Sequence, residues 1–162
     1  MREIAAGLNM APGALYYYFE SKDDLLYTCQ ILSLKRLLAS AREIVADAGP
    51  ADEKLRRLVR AHLGHILDEL GGSLAHIEFH ALPSERLQKV VSKRDTYERV
   101  VRGVLSEGIA TGLFRETDVK LAALALLGAL NWTVVWWRPE GQHDLETVAE
   151  QIADTFLRGL AR

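Results

Sequence analysis

Cysteine is nearly absent from this 162-residue chain, Cys29 being its one example. A disulfide framework and a thiolate metal cluster are therefore excluded, and a reducing, cytoplasmic setting is expected. Proline is scarce too: four residues, all at apparent breaks or helix starts. Alternating Val/Ile/Thr stretches are few, so no strand is predicted. An excess of positive charge is also lacking, since 20 Lys and Arg stand against 22 Asp and Glu. That balance rules out a charge-driven nucleic-acid binder but leaves room for one with a small, placed contact surface. Residues 1–36 repeat it locally: Arg2, Lys22, Lys35 and Arg36 offset Glu3, Glu20, Asp23 and Asp24. The opening after Met1 does not read as a signal peptide. From Leu121 to Trp137 seventeen residues carry no charge. This falls short of the ~20 a spanning helix needs, so a helix buried in the protein or between subunits is expected and no membrane.

What remains is helical period almost throughout, an all-α chain. Ser21 followed by Asp24 is a capping-box-like start for a helix from about Lys22 to Ala48. Asp52 begins the next, with the stripe Leu55, Leu58, Val59, His62, Leu63, Ile66, Leu67 and Leu70. A short helix is predicted over about Ser73–Ala81, and a long one from Pro83 and Ser84 to about Thr111, with Gly112 as its C-terminal cap. Asp118 opens the very apolar helix to Trp137. Asp144 caps the last, whose stripe runs Leu145, Val148, Ala149, Ile152, Ala153, Phe156, Leu157 and Leu160.

The first thirty residues are the most informative. A short helix, a turn at Asn9, a second short helix starting near Pro12 and then the long helix form a helix-turn-helix pattern. Ile4, Ala5 and Leu8 are expected to face inward from the first helix, Met10 to fill the angle, and Leu15, Tyr18 and Phe19 to face inward from the second. Asn9 tolerates a left-handed turn position, and Pro12 suits a first helical turn. Pro12, Gly13, Ala14 and Tyr17 project outward together.

This run resembles the DNA-binding domain of the TetR family of bacterial transcriptional repressors. Ile4, Ala5, Gly13, Leu15, Tyr16, Tyr18, Phe19, Ser21, Lys22 and Leu25 match that family's pattern in register over about twenty-two residues. Ala11 stands where the family has a capping Ser, and Asn9 where it has a turn Gly. The resemblance implies DNA contacts at Ala11, Pro12, Gly13, Ala14, Tyr16, Tyr17, Tyr18 and Lys22. Tyr16, Tyr17 and Lys22 would meet phosphates or base edges, and the small residues would let the helix approach the major groove. It implies a DNA-binding domain over residues 1–30 and a helical effector-binding and dimerisation domain over 31–162. The family also has a helix before this motif. Its absence here, roughly twenty residues, a helix of ~12 plus its turn, implies an incomplete head that binds operator poorly.

Leu130–Pro139 and Phe156–Leu160 resemble TetR members that respond to acyl-CoA thioesters, among them regulators of fatty-acid and steroid-ring catabolism. Residues 84–102 hold six basic and three acidic side chains, a local charge of +3, which suits a solvated face or an anionic ligand. Phe79, Leu82, Tyr97, Val101, Trp132 and Trp136 could line an apolar tunnel, with Lys93 or Arg94 at its mouth; aromatic stripes at this spacing also suit plain core or a dimer interface. Ala123, Gly128 and Ala129 favour close approach of another helix.

His62 with His65, and His76 with His80, share helix faces that could chelate a metal, although ordinary polar packing in a pocket is the favoured reading of them. Neither a metal nor a cofactor is expected. A Ser/His/Asp set, a phosphate loop and a paired-carboxylate cleft are all missing, so an enzyme is not expected. The reading is a homodimeric repressor that binds a palindromic double-stranded operator and is released by a small apolar or acyl-CoA effector. An effector-binding dimer without DNA binding, or a helical enzyme acting on a hydrophobic substrate, are the alternatives.

Overall fold

The computed structural model describes residues 5, 7, 9, 11–67 and 81–161. Within them the chain is helical, and the one β pairing is an isolated bridge between Phe114 and Ala161. The helices are α1 (Pro12–Tyr18), α2 (Lys22–Ala46), α3 (Ala51–Leu67), α4 (Ser84–Ala110), α5 (Val119–Trp136) and α6 (Leu145–Leu160). The bounds of α2, α4, α5 and α6 lie within two residues of their sequence expectations, and α3 begins one residue before Asp52, its expected last stripe residue Leu70 lying outside the described residues. The helix expected at 73–81 falls outside the described residues apart from Ala81.

Local chemistry sets the ends. Ser21 Oγ accepts from the Asp24 amide at 3.1 Å, Asp118 from Leu121 at 3.0 Å and Asp144 from Thr147 at 2.8 Å, each satisfying one of the amides a helix start leaves without an internal partner. The Thr147 amide also holds the Asp144 carboxyl below its ordinary pKa. At Ser21 the reciprocal half of a capping box is shifted by one residue: the Asp24 carboxylate accepts from the Glu20 amide (3.3 Å).

Helix α4 closes on a Schellman motif. The Leu113 amide donates to Gly108 O at 2.9 Å and the Gly112 amide to Ile109 O at 3.0 Å. Gly112 takes the left-handed conformation (φ 74°) that the motif requires and that glycine adopts without steric cost.

Helix α3 is the hub, packing against α2, α4, α5 and α6. Its stripe of Leu55, Leu58, Val59, Leu63 and Ile66 is buried throughout, as the 3.6-residue period demands. Lys54 is buried beside it and donates to both oxygens of Glu107 on α4, at 2.7 and 3.0 Å. On the outer side Arg56 donates to Asp154 at 2.7 Å and Arg60 to Glu150 at 2.6 Å, which ties α3 to α6. A second, smaller core joins Leu34, Leu82 and Val90 between α2 and the start of α4.

By length and composition α5 could cross a membrane. Its Ala123, Leu126, Leu130, Thr133 and Val134 are instead buried in the bundle, while Leu121, Leu124, Trp132 and Trp136 on the other side are exposed.

Candidate DNA-reading head and effector cavity

The head is built on a turn and a short helix. Ala5 is fully buried, and Asn9 has φ 53°, the left-handed turn anticipated for it. Ala11 enters α1 in extended conformation without a side-chain cap, consistent with alanine standing where a hydroxyl would cap. Leu15 is buried and Phe19 half-buried, so this pair four residues apart forms the inward face of α1.

Tyr18 corrects the expectation. It is 66 % exposed, not inward, because Leu15 and Phe19 occupy the inner face and leave Tyr18 at its edge, with its ring 5.0 Å edge-on from Tyr17. Tyr16 and Tyr17 are 56 % and 83 % exposed. Ala11, Gly13 and Lys22 are exposed as well, whereas Ala14 is half-buried. The α1 surface thus presents a tyrosine cluster, with Lys22 at the first position of α2 after the turn. Pro12 begins α1. Ile4, Leu8 and Met10 lie outside the described residues.

An ion pair ties this head to α4. Asp24 accepts from Arg86 of α4 on one carboxylate oxygen, at 2.8 Å, and from the Glu20 amide on the other. The Arg86 guanidinium also lies 5.3 Å over the ring of Tyr27, close enough for a cation–π attraction.

Between α2, α3, α4 and α5 lies a cavity of about 410 Å³. Leu34, Leu37, Ile66, Leu124 and Leu127 form its apolar wall, and His62, Arg94, Tyr97 and Asn131 supply polar groups. His62 and Tyr97 are 2 % and 4 % exposed, and Nδ1 of the histidine lies 3.2 Å from the tyrosine hydroxyl. Burial pushes the Tyr97 hydroxyl well above its ordinary pKa, so it stays protonated. Burial alone lowers the Arg94 guanidinium from its usual value, which marks a cation placed in a poorly solvated wall. Asp95, Glu98 and Lys120 line this cavity and also a neighbouring polar groove that holds Arg99 and Arg102, so the two spaces share a rim. Arg102 pairs with Glu98 at 3.0 Å.

Of the ligand residues expected from sequence, the structure brings Arg94 and Tyr97 together in this cavity. Lys93 lines a separate groove with Tyr27 and Lys35. Leu82 belongs to the small second core, and Val101 to the main core. Trp132 and Trp136 are 60 % and 50 % exposed and are not among the residues lining the cavity. Both faces of α5 are apolar, and the inward one is taken by its smaller and branched residues. Phe79 lies outside the described residues.

The cavity residues that sequence reasoning missed on α5, namely Lys120, Leu124, Leu127, Gly128 and Asn131, recur at three- and four-residue spacing, which was the available signal. His62 was weighed as a metal ligand or as pocket packing, and it packs on Tyr97. His65 Nε2 lies 2.9 Å from Ser40 Oγ. Among the described residues no three His, Cys, Asp or Glu are grouped to hold a metal. His76 and His80 are outside them.

Comparison with known proteins decides the lineage. Residues 1–28 match the family described as bacterial regulatory proteins, tetR family, and residues 48–160 match the tetracyclin repressor-like C-terminal domain. The chain belongs to the TetR family. It is a transcriptional repressor of that family and not an enzyme. It is similar to the HTH-type transcriptional repressor KstR2 of Rhodococcus jostii, with 30 % identity over 99 % of this chain and 80 % of the relative. The fatty acid metabolism regulator protein of Bacillus subtilis is 26 % identical over 98 % of this chain and 83 % of the relative. Among solved structures, the TetR-family regulator PfmR of Thermus thermophilus superposes with a TM-score of 0.84 at 34 % identity, covering 99 % of this chain and 88 % of that one. The ketosteroid regulator KstR2 of Mycobacterium tuberculosis superposes with a TM-score of 0.85 at 26 % identity, over 99 % and 84 %.

Proposed function

We propose that this TetR-family repressor is a cytoplasmic homodimer that binds a palindromic operator and is released when an acyl-CoA thioester enters its helical domain. Residues 1–30 read DNA, and residues 31–162 bind the effector and dimerise. The observation that carries the reading is the largely apolar cavity sharing a rim of Asp95, Glu98 and Lys120 with a groove that adds Arg99 and Arg102, three cations against two carboxylates. At the ~30 Å³ that a water occupies in the liquid, the cavity has room for about 14 heavy atoms. That is enough for an acyl chain and far too little for the nucleotide, whose phosphates would meet the cations outside. Relatives named for fatty-acid metabolism and for ketosteroid regulation support a lipid-derived effector. Exposure of Tyr16, Tyr17 and Lys22 on α1 and at the start of α2 supports their making the phosphate and groove contacts. Release follows from linkage: an effector that favours one spacing of the two heads lowers DNA affinity by the same factor by which DNA lowers effector affinity.

The test is a gel shift with a duplex selected by this protein from a random pool. Decanoyl-CoA should reverse the shift where coenzyme A alone does not. Tyr17→Ala and Lys22→Ala should each weaken binding about tenfold, and Lys22→Ala should reduce the salt dependence by about one counterion. A duplex that decanoyl-CoA and other acyl thioesters leave bound would refute the effector assignment.

A second copy is assigned to the exposed apolar side of α5, where Leu121, Leu124, Trp132 and Trp136 stand in a stripe interrupted by Gly128. Such a contiguous patch is unusual on a monomer, and a glycine permits close helix approach across a two-fold axis. Trp132→Glu should leave the fold intact, because the side chain is exposed, and shift the protein from dimer to monomer in sedimentation velocity.

A further inference from the structure

We infer that the acyl part of the effector carries a hydroxyl or keto oxygen, and that Tyr97 is the residue that reads it. This rests on the reading that the cavity takes the acyl part. A cavity for a plain hydrocarbon chain needs only hydrocarbon walls, and Leu34, Leu37, Ile66, Leu124 and Leu127 provide them. Set into that wall is a tyrosine hydroxyl on α4 facing a histidine on α3, both almost wholly buried. Polar groups in such a place are costly unless bonded, and phenylalanine with leucine would fill the same volume without that requirement.

Their mutual bond leaves capacity at the tyrosine. A phenol has one donor and two acceptor positions, and His62 occupies one of them in either tautomer. If the histidine nitrogen donates, the Tyr97 proton is available to an oxygen in the cavity. If the tyrosine donates to the histidine, its lone pairs can accept from a ligand hydroxyl. Asn131, half-buried on α5, adds an amide to the same wall, so three helices bring uncharged polar groups in among the leucines and isoleucine, beside the charged Arg94, Asp95, Glu98 and Lys120 that also line the space. Sites built to bond a ligand oxygen discriminate strongly against the analogue without it, because their own groups are then left unpaired.

The experiment is calorimetric titration of the full chain with decanoyl-CoA and with its 3-, 6- and 9-hydroxy derivatives, repeated on Tyr97→Phe. At least one hydroxy thioester should bind the unaltered protein tenfold or more tightly than decanoyl-CoA. Tyr97→Phe should erase that preference by weakening the hydroxy ligand while leaving decanoyl-CoA within about twofold, the fold itself being checked by thermal melting. Decanoyl-CoA binding as well as all three derivatives, or Tyr97→Phe weakening all four alike, overturns the inference. The preference in the unaltered protein stands independently of the variant. The free decanoic and hydroxydecanoic acids form a separate arm. If they reproduce the preference while no thioester binds, the acyl-CoA reading fails and the oxygen-reading role of Tyr97 holds. If neither set binds, both fail.

Discussion

Gly108→Ala should unfold about 5–15 °C below the unaltered protein, one of the largest losses available from adding a single methyl group. A Cβ at position 108 would lie 2.1, 2.3 and 2.8 Å from three ring atoms of Phe114. Such contacts cannot be absorbed by small adjustments, so the ring has to leave. It has little room to do so: Phe114 is 3 % exposed, and its amide donates to Gly108 O at 2.9 Å. The next residue is held as well, the Arg115 amide donating to Leu160 O at 2.8 Å. Helix propensity acts the other way, alanine being favoured over glycine by about 1 kcal/mol. Overpacking costs about 1–3 kcal/mol and the loss of a buried phenylalanine ring about 3–5. The net is about 2–4 kcal/mol of destabilisation, the drop in midpoint quoted above at the ~2–4 °C per kcal/mol of a chain this size. Pairing Gly108→Ala with Phe114→Leu should be markedly non-additive, since the smaller side chain vacates the contested space. A Gly108→Ala midpoint within about 2 °C of the unaltered one would refute the account.

That contact shows where sequence reasoning stops. Gly112 was legible as the cap of α4, because glycine after a long helical period is the usual C-terminal signal. Gly108, one turn earlier, owes its role to a ring that returns over it after the turn, and no local pattern records such a meeting. The same division runs through the molecule. The stripes of α3 and α6, the caps at Ser21, Asp118 and Asp144 and the helix-turn-helix motif are short-range features, and the ends of α2, α4, α5 and α6 were legible from such signals to within two residues.

The cavity is a long-range feature. Arg94 and Tyr97 were within reach because a basic, aromatic helix face invites a ligand. His62 joins them only once α3 and α4 are packed. Trp132 and Trp136 share a face with each other, but on a helix apolar all round the period cannot tell which face is the core. Tyr18 shows the same limit in miniature: the motif fixed its register, and the packing of Leu15 and Phe19 fixed its exposure.

The second large effect concerns the proposed coupling of cavity and head. Arg86→Gln should leave DNA binding and acyl-thioester binding measurable while collapsing their coupling, from the 5–150-fold range usual for such linkage to below about threefold. Arg86 grips the first turn of α2 at two points, the Asp24 carboxylate and the face of Tyr27. Asp24 in turn holds the Glu20 amide, two residues beyond the end of α1. Arg86 is also two residues into α4, the helix that carries Arg94, Tyr97 and Glu98 in the cavity wall. At 1.5 Å per residue those positions lie only about 12–18 Å along one continuous helix, so a ligand that shifts α4 pulls directly on the turn behind the tyrosine surface. Leu34 adds a parallel route, because it lines the cavity and also packs in the small core with Leu82 and Val90.

As a half-exposed ion pair, Arg86–Asp24 contributes only about 1 kcal/mol or less to stability. The Arg86→Gln melting point should therefore move little, and this separates transmission from a merely structural role. Asp24→Asn should reproduce the uncoupling, and the double variant should add nothing to either single one. Lys89→Gln, which breaks only an exposed pair with Glu85 one turn away, is the control and should keep full coupling. Hydrogen exchange offers a readout free of DNA: amide protection across residues 19–25 should fall in both Arg86→Gln and Asp24→Asn while that of α3 is unchanged. Coupling retained at its full value in Arg86→Gln would locate the transmission elsewhere, with α2 itself and the Leu34 core as the next connections to test among the described residues.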